Sequence, residues 1–309
     1  MIPNFYMLVG LPGSGKSYHA EQLAAEKDCV IHSSDAIREE ILNDVSDQQH
    51  NADVFSVLHK RVKEDLLAGK NVIYDATNIS YKRRKAFLDE LKNIPCYKYC
   101  QFIATPYEVC LEQNNSRDRK VPEEVIDRMY RQIDVPYYFE GWDNINVIYL
   151  RPSYRKAYGE AGQFIFDTCD FNQENPHHTA TLGDHCRFAY EYIANNHDLS
   201  YWHWSLVAKA ALIHDNGKPY CKVFIDSKGN ICSVAHYYNH EHVGAYNAMF
   251  YDCEEKIEGQ LFIAFLVRWH MQMYFIDKQQ GLAAKYLKLF DSELYTLLEA
   301  LHKADKEAH

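Results

Sequence analysis

The 309 residues lack several features that would decide their class at once. No stretch reaches the roughly 18 uninterrupted apolar residues of a membrane span, which speaks against an integral membrane protein. No basic segment precedes the apolar run in MIPNFYMLVG, so the first residues read as a β-strand rather than a secretory signal. The 9 cysteines include no CxxC pair. That disfavours a disulfide framework and suits buried thiols in a reducing cytoplasm. Internal repeats and low-complexity tracts are missing, and so is any basic excess. The net charge is −10, with 18 basic and 23 acidic side chains in residues 1–150 and 15 and 20 in residues 151–309. Proteins that coat long duplex are usually basic. Nucleic-acid contacts here should therefore be local, at an end or a short strand, while small anionic substrates are equally allowed.

What is present suggests two domains, each with enough apolar residues for a core. In residues 1–150, short β-rich runs (YMLVG, CVIHS, NVIYDAT, KYCQFIAT, NINVIYL) alternate with helical patterns near 16–26, 36–43, 52–68, 80–93, 106–114 and 122–133. Such alternation predicts an α/β domain, a parallel sheet with helices on both faces. Residues 151–176 mix Pro, Gly, Asn and aromatics without clear periodicity and read as a linker. Residues 177–309 read as an all-α domain, with helices near 178–196, 202–214, 240–254, 258–271 and 280–307. One hairpin, VFIDSKGNICSV, interrupts them and turns at Lys228-Gly229-Asn230.

The first chemical signal is GLPGSGKS, residues 10–17, between a strand and a helix. This is a P-loop, GxxxxGK[ST]. Gly10, Gly13, Ser14 and Gly15 let backbone N–H groups turn inward around phosphate, Lys16 adds charge at the β/γ-phosphates, and Ser17 can ligate Mg²⁺. ATP and Mg²⁺ are the expected ligands. In SSDAIR, Asp35 lies just past a strand end, placed either to accept a proton from an attacking hydroxyl or merely to cap the next helix. Arg38, one turn on, suits an anionic group on the acceptor. Asp75 ends the strand of VIYDATN at a Walker-B-like position that can hold Mg²⁺. The run Lys82-Arg83-Arg84-Lys85 opens a helix, and such charge runs are solvated faces only about half the time. In NNSRDRKVPEEV, Arg117, Arg119 and Lys120 precede a helix. They form either a basic lid over ATP phosphates or a solvated flank.

Taken in order, GLPGSGKS, SSDAIR, DATN with Arg84 downstream, SRDRKVPEEVI and EGWDNI resemble the 5′-hydroxyl polynucleotide kinase type of P-loop phosphotransferase, across residues 5–150. The resemblance implies that Asp35 is the general base for a 5′-OH, that Arg38 holds the acceptor's adjacent phosphate, and that Arg117 or Arg119 supplies the lid contact. The same skeleton also serves kinases of small molecules.

The second half holds a different set. NPHHTATLGDH offers His185, with His178 as a competitor. LIHDNGKP offers His214, Asp215 and Lys218. HYYNHEHVGA offers His240, with His236 and His242 competing. LVRWHMQM offers His270, and LHKADKEAH offers Asp305. Each lies on or beside an apolar helical face, so the side chains can converge inside a bundle. Four imidazoles and two carboxylates suit two divalent ions such as Mn²⁺, Ni²⁺, Fe²⁺, Co²⁺ or Mg²⁺. Asp215 can bridge them, hydroxide can be generated near pH ~7 to attack phosphorus, and Lys218 can steady the phosphate. The ordered pattern H…HD…H…H…D resembles the HD-domain metal-dependent phosphohydrolases, over about residues 177–308.

Together these features predict a bifunctional end-healing enzyme acting on RNA or DNA ends, short or single-stranded. It would combine an ATP-dependent 5′-OH polynucleotide kinase with a metal-dependent 2′,3′-phosphoesterase, in the cytoplasm and without membrane partners. The alternatives are a small-molecule or nucleotide kinase fused to an HD nucleotide phosphohydrolase, and a nucleotide-gated regulatory module.

Overall fold

Five of the β-rich runs become strands of one sheet in the computed structural model, which describes residues 2–308 apart from Ser46, Gln48, His177, His178, His197 and Gln280. They are β1 (Asn4–Val9), β2 (Cys29–Ser33), β3 (Asn71–Asp75), β4 (Tyr97–Ile103) and β5 (Asn144–Ile148). Their order is β2-β3-β1-β4-β5, and every neighbouring pair is parallel. Parallel pairs need crossover connections. These are α1 (Lys16–Lys27), α2 (Ser34–Leu42), α3 (Asn51–Leu67), α4 (Tyr81–Glu90), α5 (Tyr107–Asn115) and α6 (Glu123–Tyr130). Central β1 is buried from Phe5 to Val9 without alternation, as a strand covered on both faces must be. From β1 the chain leaves toward β2 on one side, and from β4 toward β5 on the other. The crevice between their carboxyl ends is thus the switch point at which open parallel sheets take their ligands.

The chain divides into two compact units, Met1–Met129 with Pro136–Leu150, and Tyr130–Val135 with Arg151–His309. Residues 130–135 count with the second unit because their side chains pair there. Tyr130 Oη donates to Asn247 Oδ1 at 2.6 Å, and Arg268 Nε donates to Asp134 Oδ1 at 2.8 Å. Residues 151–176, expected as a linker, also belong to the second unit. They carry a 3-10 turn at Pro152–Lys156 and α7 (Gln163–Asp167), and they bury Tyr154, Ala161 and Phe164.

The rest of the second unit is largely helical. Its elements are α8 (Leu182–Asn195), α9 (Tyr201–Ile213), α10 (Lys218–Cys221), β6 (Val223–Ile225), β7 (Ile231–His236), α11 (His240–Ala248), α12 (Ile257–Lys278) and α13 (Leu282–Glu307). Thr181 caps α8 by accepting from Asp184 N at 3.2 Å. α11 stops earlier than the sequence pattern suggests. The buried Gln260 side chain takes up the carbonyls of Ala248 and Tyr251, which therefore need no further helical turn. α13 is kinked at Asp291 (φ 67), whose Oδ1 accepts from Leu294 N at 3.0 Å and starts the helix afresh. α8, α9, α12 and α13 pack on one another, with α11 against α12. Among the described residues, no helix is long and apolar enough to cross a membrane.

In the run Lys82–Lys85, Lys82 and Arg83 are exposed, but Arg84 turns inward and its side chain is fully buried against Glu140. Arg84 Nε donates to Glu140 Oε2 at 2.8 Å, Nη2 to Oε1 at 2.6 Å, and Nη1 to Asn78 O at 2.8 Å. Trp142 Nε1 donates to the same carboxylate at 3.1 Å. A buried pair this well bonded is costly to break, because the surviving partner keeps an unanswered charge. Arg84→Met or Glu140→Leu is therefore expected to destabilise the first unit by about 3–5 kcal/mol. The check is a fall in the midpoint of that unit's urea transition.

Candidate active sites

The loop of residues 10–17 bridges β1 and α1. Gly13 has φ +82, and a Cβ there would fall 2.2 Å from Cys110 O, so no other residue fits this turn. Thr105 Oγ1 donates to Ser14 O at 3.0 Å and pins the loop from β4's side. Ser14 Oγ is buried without a hydrogen-bond partner, a group waiting for an acceptor or donor from a ligand. Lys16 Nζ donates to Leu11 O at 2.8 Å. Burial pulls its pKa down to about 8, against the attraction of Asp75. Asp75 ends β3, and burial raises its pKa in spite of Lys16. Ser17 Oγ lies 3.5 Å from Asp75 Oδ2. A hydroxyl and a carboxylate side by side are the hard oxygen donors that Mg²⁺ takes while keeping several waters. The residues present therefore fit a magnesium nucleotide.

Asp35 sits in the first turn of α2, beyond the end of β2. The N-cap is Ser33, so the capping alternative for Asp35 does not apply. Its side chain is largely exposed and held by two arginines. Arg38 Nη1 donates to Oδ1 at 2.8 Å, and Arg119 Nη1 to Oδ2 at 3.3 Å. Arg38 is buried, and its Nη2 is anchored on Asn51 Oδ1 at 2.8 Å. Asn51, at the start of α3, carried no signal in the sequence, because its role exists only once α2 and α3 pack. Arg119 Nη2 also donates to Val45 O at 2.9 Å. Residues 115–120 are exposed, and the charge of Arg117 is felt at Lys16. Of the two candidate lid arginines, Arg119 is the one on Asp35.

In the second unit the six expected ligands meet. His185 comes from α8, His214 and Asp215 from the end of α9, His240 from the start of α11, His270 from α12 and Asp305 from the last turns of α13. All are buried. His185 Nε2 lies 3.2 Å from His214 Nε2, 3.1 Å from Asp305 Oδ1 and 3.5 Å from Asp215 Oδ2. On the other side, His240 Nε2 lies 3.4 Å from His270 Nε2 and 3.2 Å from Asp215 Oδ1. Asp215 thus shows one oxygen to each histidine pair. The two groups His185–His214–Asp215 and Asp215–His240–His270 each offer ligand atoms within 4.8 Å of one another.

The outer bonds of the imidazoles decide what this cluster suits. Every Nδ1 faces a backbone carbonyl: His185 that of Ala308 at 3.0 Å, His214 that of Ala211 at 2.9 Å, His240 that of Tyr237 at 2.8 Å, His270 that of Val267 at 2.7 Å. An Nδ1–H spent on a carbonyl leaves Nε2 as a lone pair. Lone pairs about 3 Å apart repel unless a cation stands between them. Ligands on one ion, each at about 2.0–2.1 Å, sit at about that mutual spacing. Fixing the imidazole through its outer N–H is also what metal-bound histidines do. The donor set fits two divalent ions. Burial works against a charge on His214, yet Asp215, Cys186 and Asp305 hold its pKa well above the usual value. Asp215 stays well below the carboxylate range in spite of burial, through Lys218 and His214.

The competing histidines are engaged elsewhere. His236 stacks on Tyr238, and His242 Nδ1 lies 3.3 Å from both Ile133 O and Asp134 Oδ1. His178 lies outside the described residues. Lys218 Nζ bonds Asp215 Oδ2 at 2.6 Å and Gln173 Oε1 at 2.7 Å. Gln173 comes from the stretch read as linker and was not anticipated.

Comparison with known proteins bears on the first unit. The AAA domain family model matches residues 5–136. The L-seryl-tRNA(Sec) kinase of Methanococcus maripaludis is 30% identical over 142 residues, 44% of this chain and 55% of its own length. The chain thus spans about half the length of the curated relative it matches. Among solved structures, the Pnkp1/Rnl/Hen1 RNA repair complex aligns over 42% of this chain and 44% of that one, at 22% identity and a TM-score of 0.37. A sugar kinase from Janibacter sp. HTCC2649 aligns over 48% and 86%, at 16% identity and a TM-score of 0.38. The N-terminal part of the chain is thus an α/β P-loop domain, and the curated relative it resembles there is a kinase.

Proposed function

We propose that the chain is a bifunctional nucleic-acid end-healing enzyme, an ATP-dependent 5′-hydroxyl polynucleotide kinase joined to an HD-type metal-dependent phosphoesterase. The observation that carries the reading is the meeting of four Nε2 atoms around the two oxygens of Asp215. A nucleotide-gated switch with an inert second domain would have no use for such a set.

In the kinase half, the loop N–H groups and Lys16 would hold the phosphates, and Ser17 and Asp75 would hold Mg²⁺. The acceptor hydroxyl oxygen attacks the γ-phosphorus, its proton passes to Asp35, and the β–γ bridging bond breaks to release ADP. Arg38, braced by Asn51, aims Asp35 and meets an anionic group on the acceptor. Arg117 and Arg119 supply charge over the transferring group. In the hydrolase half, His185, His214, Asp215 and Asp305 would hold one ion, and Asp215, His240 and His270 a second. Such ions, when bound, supply Lewis acidity and a nucleophile at neutral pH. Lys218 steadies the phosphoryl oxygens.

The name of the 30% identical relative favours a second reading, in which the acceptor hydroxyl belongs to an aminoacyl group or small molecule and the second half hydrolyses nucleotides. Both readings keep the same chemistry at Lys16 and Asp35.

Three outcomes test the proposal. Transfer of label from γ-labelled ATP to a 5′-hydroxyl oligonucleotide should fall at least ~10²-fold in Asp35→Asn, the usual loss of a general base, and vanish in Lys16→Ala. Transfer to serine or seryl-tRNA but to no oligonucleotide would select the second reading. The affinity for Mg·ATP should weaken as pH rises through about 8. Phosphates favour the ammonium form of Lys16 that burial disfavours, so binding above that pH must take up a proton. Calorimetry in buffers of different ionisation enthalpy reads that uptake, which Lys16→Ala should abolish. Finally, His214→Ala and Asp215→Ala should each lower the Mn²⁺ content and remove Mn²⁺-dependent opening of a 2′,3′-cyclic phosphate. An unchanged rate in both would refute the phosphoesterase assignment.

A further inference from the structure

Lys218 is 4% exposed, and a buried ammonium needs acceptors for its protons. Asp215 Oδ2, one of these acceptors, is shared with the His185–His214 side of the cluster. Another is Gln173 Oε1, on a residue 1% exposed. Gln173 is itself fixed from two directions. Its Nε2 donates to Ala180 O at 3.3 Å, which sets which end of the amide faces Lys218. Its backbone oxygen accepts the Tyr237 hydroxyl. The Tyr237 ring then lies 5.5 Å from Lys218 Nζ as a third, neutral support. The stretch around Gln173 is tied to the hairpin as well, since Ala235 N donates to Glu174 O at 2.9 Å and Asn175 Nδ2 to Ala235 O at 3.0 Å.

We infer that Gln173 is a positioning residue for phosphoryl binding at the histidine–aspartate cluster. It holds the Lys218 ammonium beside Asp215 so that the charge meets a phosphoryl oxygen. The inference rests on the phosphohydrolase reading of that cluster. The reason is geometric. A lysine stem has four rotatable bonds, and Asp215 alone would leave the ammonium free to swing about one oxygen. A second acceptor on a clamped amide fixes its place. A neutral amide also suits the position better than a carboxylate would, because it adds no further anion to compete with phosphate beside Asp215.

The test uses the full chain loaded with Mn²⁺, with inorganic phosphate as the probe and calorimetry as the readout. Gln173→Leu should keep the wild-type Mn²⁺ stoichiometry and weaken phosphate binding about 10-fold or more, the scale of lost outer-layer partners at metal sites. Lys218→Ala should weaken it at least as much, and the double variant should be no weaker than Lys218→Ala. That non-additivity is the signature of acting through the lysine. Gln173→Glu, which keeps an oxygen toward the ammonium but adds an anion beside Asp215, separates a lost acceptor from a lost fold and should recover only part of the affinity lost in Gln173→Leu. Wild-type phosphate affinity in Gln173→Leu, additive losses in the double variant, or loss of Mn²⁺ from Gln173→Leu and Gln173→Glu alike would overturn the role of Gln173 alone. A wild-type chain that takes up Mn²⁺ but binds no phosphate would overturn the phosphohydrolase reading, and this role with it.

Discussion

Two carboxylates with almost no access to water set the terms for the second unit. Asp215 and Asp305 stand among four imidazoles, and charge buried in this way must be answered locally. Lys218 answers part of it. The remainder calls for a cation among the imidazoles, and the four carbonyl-bonded Nδ1 atoms turn the Nε2 atoms toward that space. Because the ligands come from α8, α9, α11, α12 and α13, meeting this demand also fixes how those helices approach one another. The cluster is thus a constraint on the fold as much as a site within it. A bundle that slid by one turn, about 5.4 Å, would leave the carboxylates unanswered.

The first unit solves its problem in another way. Its ligand is met mostly by main-chain N–H groups at the head of a helix, so the essential side chains are few and close together in sequence. Geometry there depends on where backbone can go, as at Gly13, rather than on side chains gathered from afar. The arginines differ from one another accordingly. Arg84 spends all its charge inside the unit on Glu140, while Arg38 and Arg119 converge on an exposed carboxylate just past the carboxyl end of β2.

That contrast explains what could be read before any coordinates. The alternation of β-rich runs and helices marks the parallel sheet, because strands buried on both faces must be apolar throughout. The P-loop is legible because its eight residues are consecutive. The second unit is harder, since its six donors span 121 positions and only their apolar surroundings hint that they meet. The main chain decides among competing histidines. His240 is aimed by Tyr237 O, whereas His242 turns to Ile133 O. Nothing in the spacing of residues announces such bonds. Long-range pairings are equally silent in sequence, among them Arg84 with Glu140, Arg38 with Asn51, and Lys218 with Gln173. Residues 151–176 lack periodicity because they pack through single aromatics rather than along a helix face. Composition alone therefore makes them look like a linker.

The placement of the His214–Asp215 pair carries one last consequence. Successive residues in a helix point about 100° apart, so two neighbours reach one cluster from different directions. His214, the C-cap of α9, turns its Nε2 toward His185 and Asp305. Asp215, one residue on, has already left the helix and sits where its two oxygens look in different directions, Oδ2 toward His185 and His214 and Oδ1 toward His240 and His270. Adjacency in the chain thus separates the roles: a histidine committed to one half of the cluster and a carboxylate shared by both. Lys218 lies one helical turn further, on the oxygen that faces the first half. A single exchange of His214 and Asp215 in sequence would keep the composition, the charge and the apolar helix, yet it would leave no carboxylate spanning the two histidine pairs.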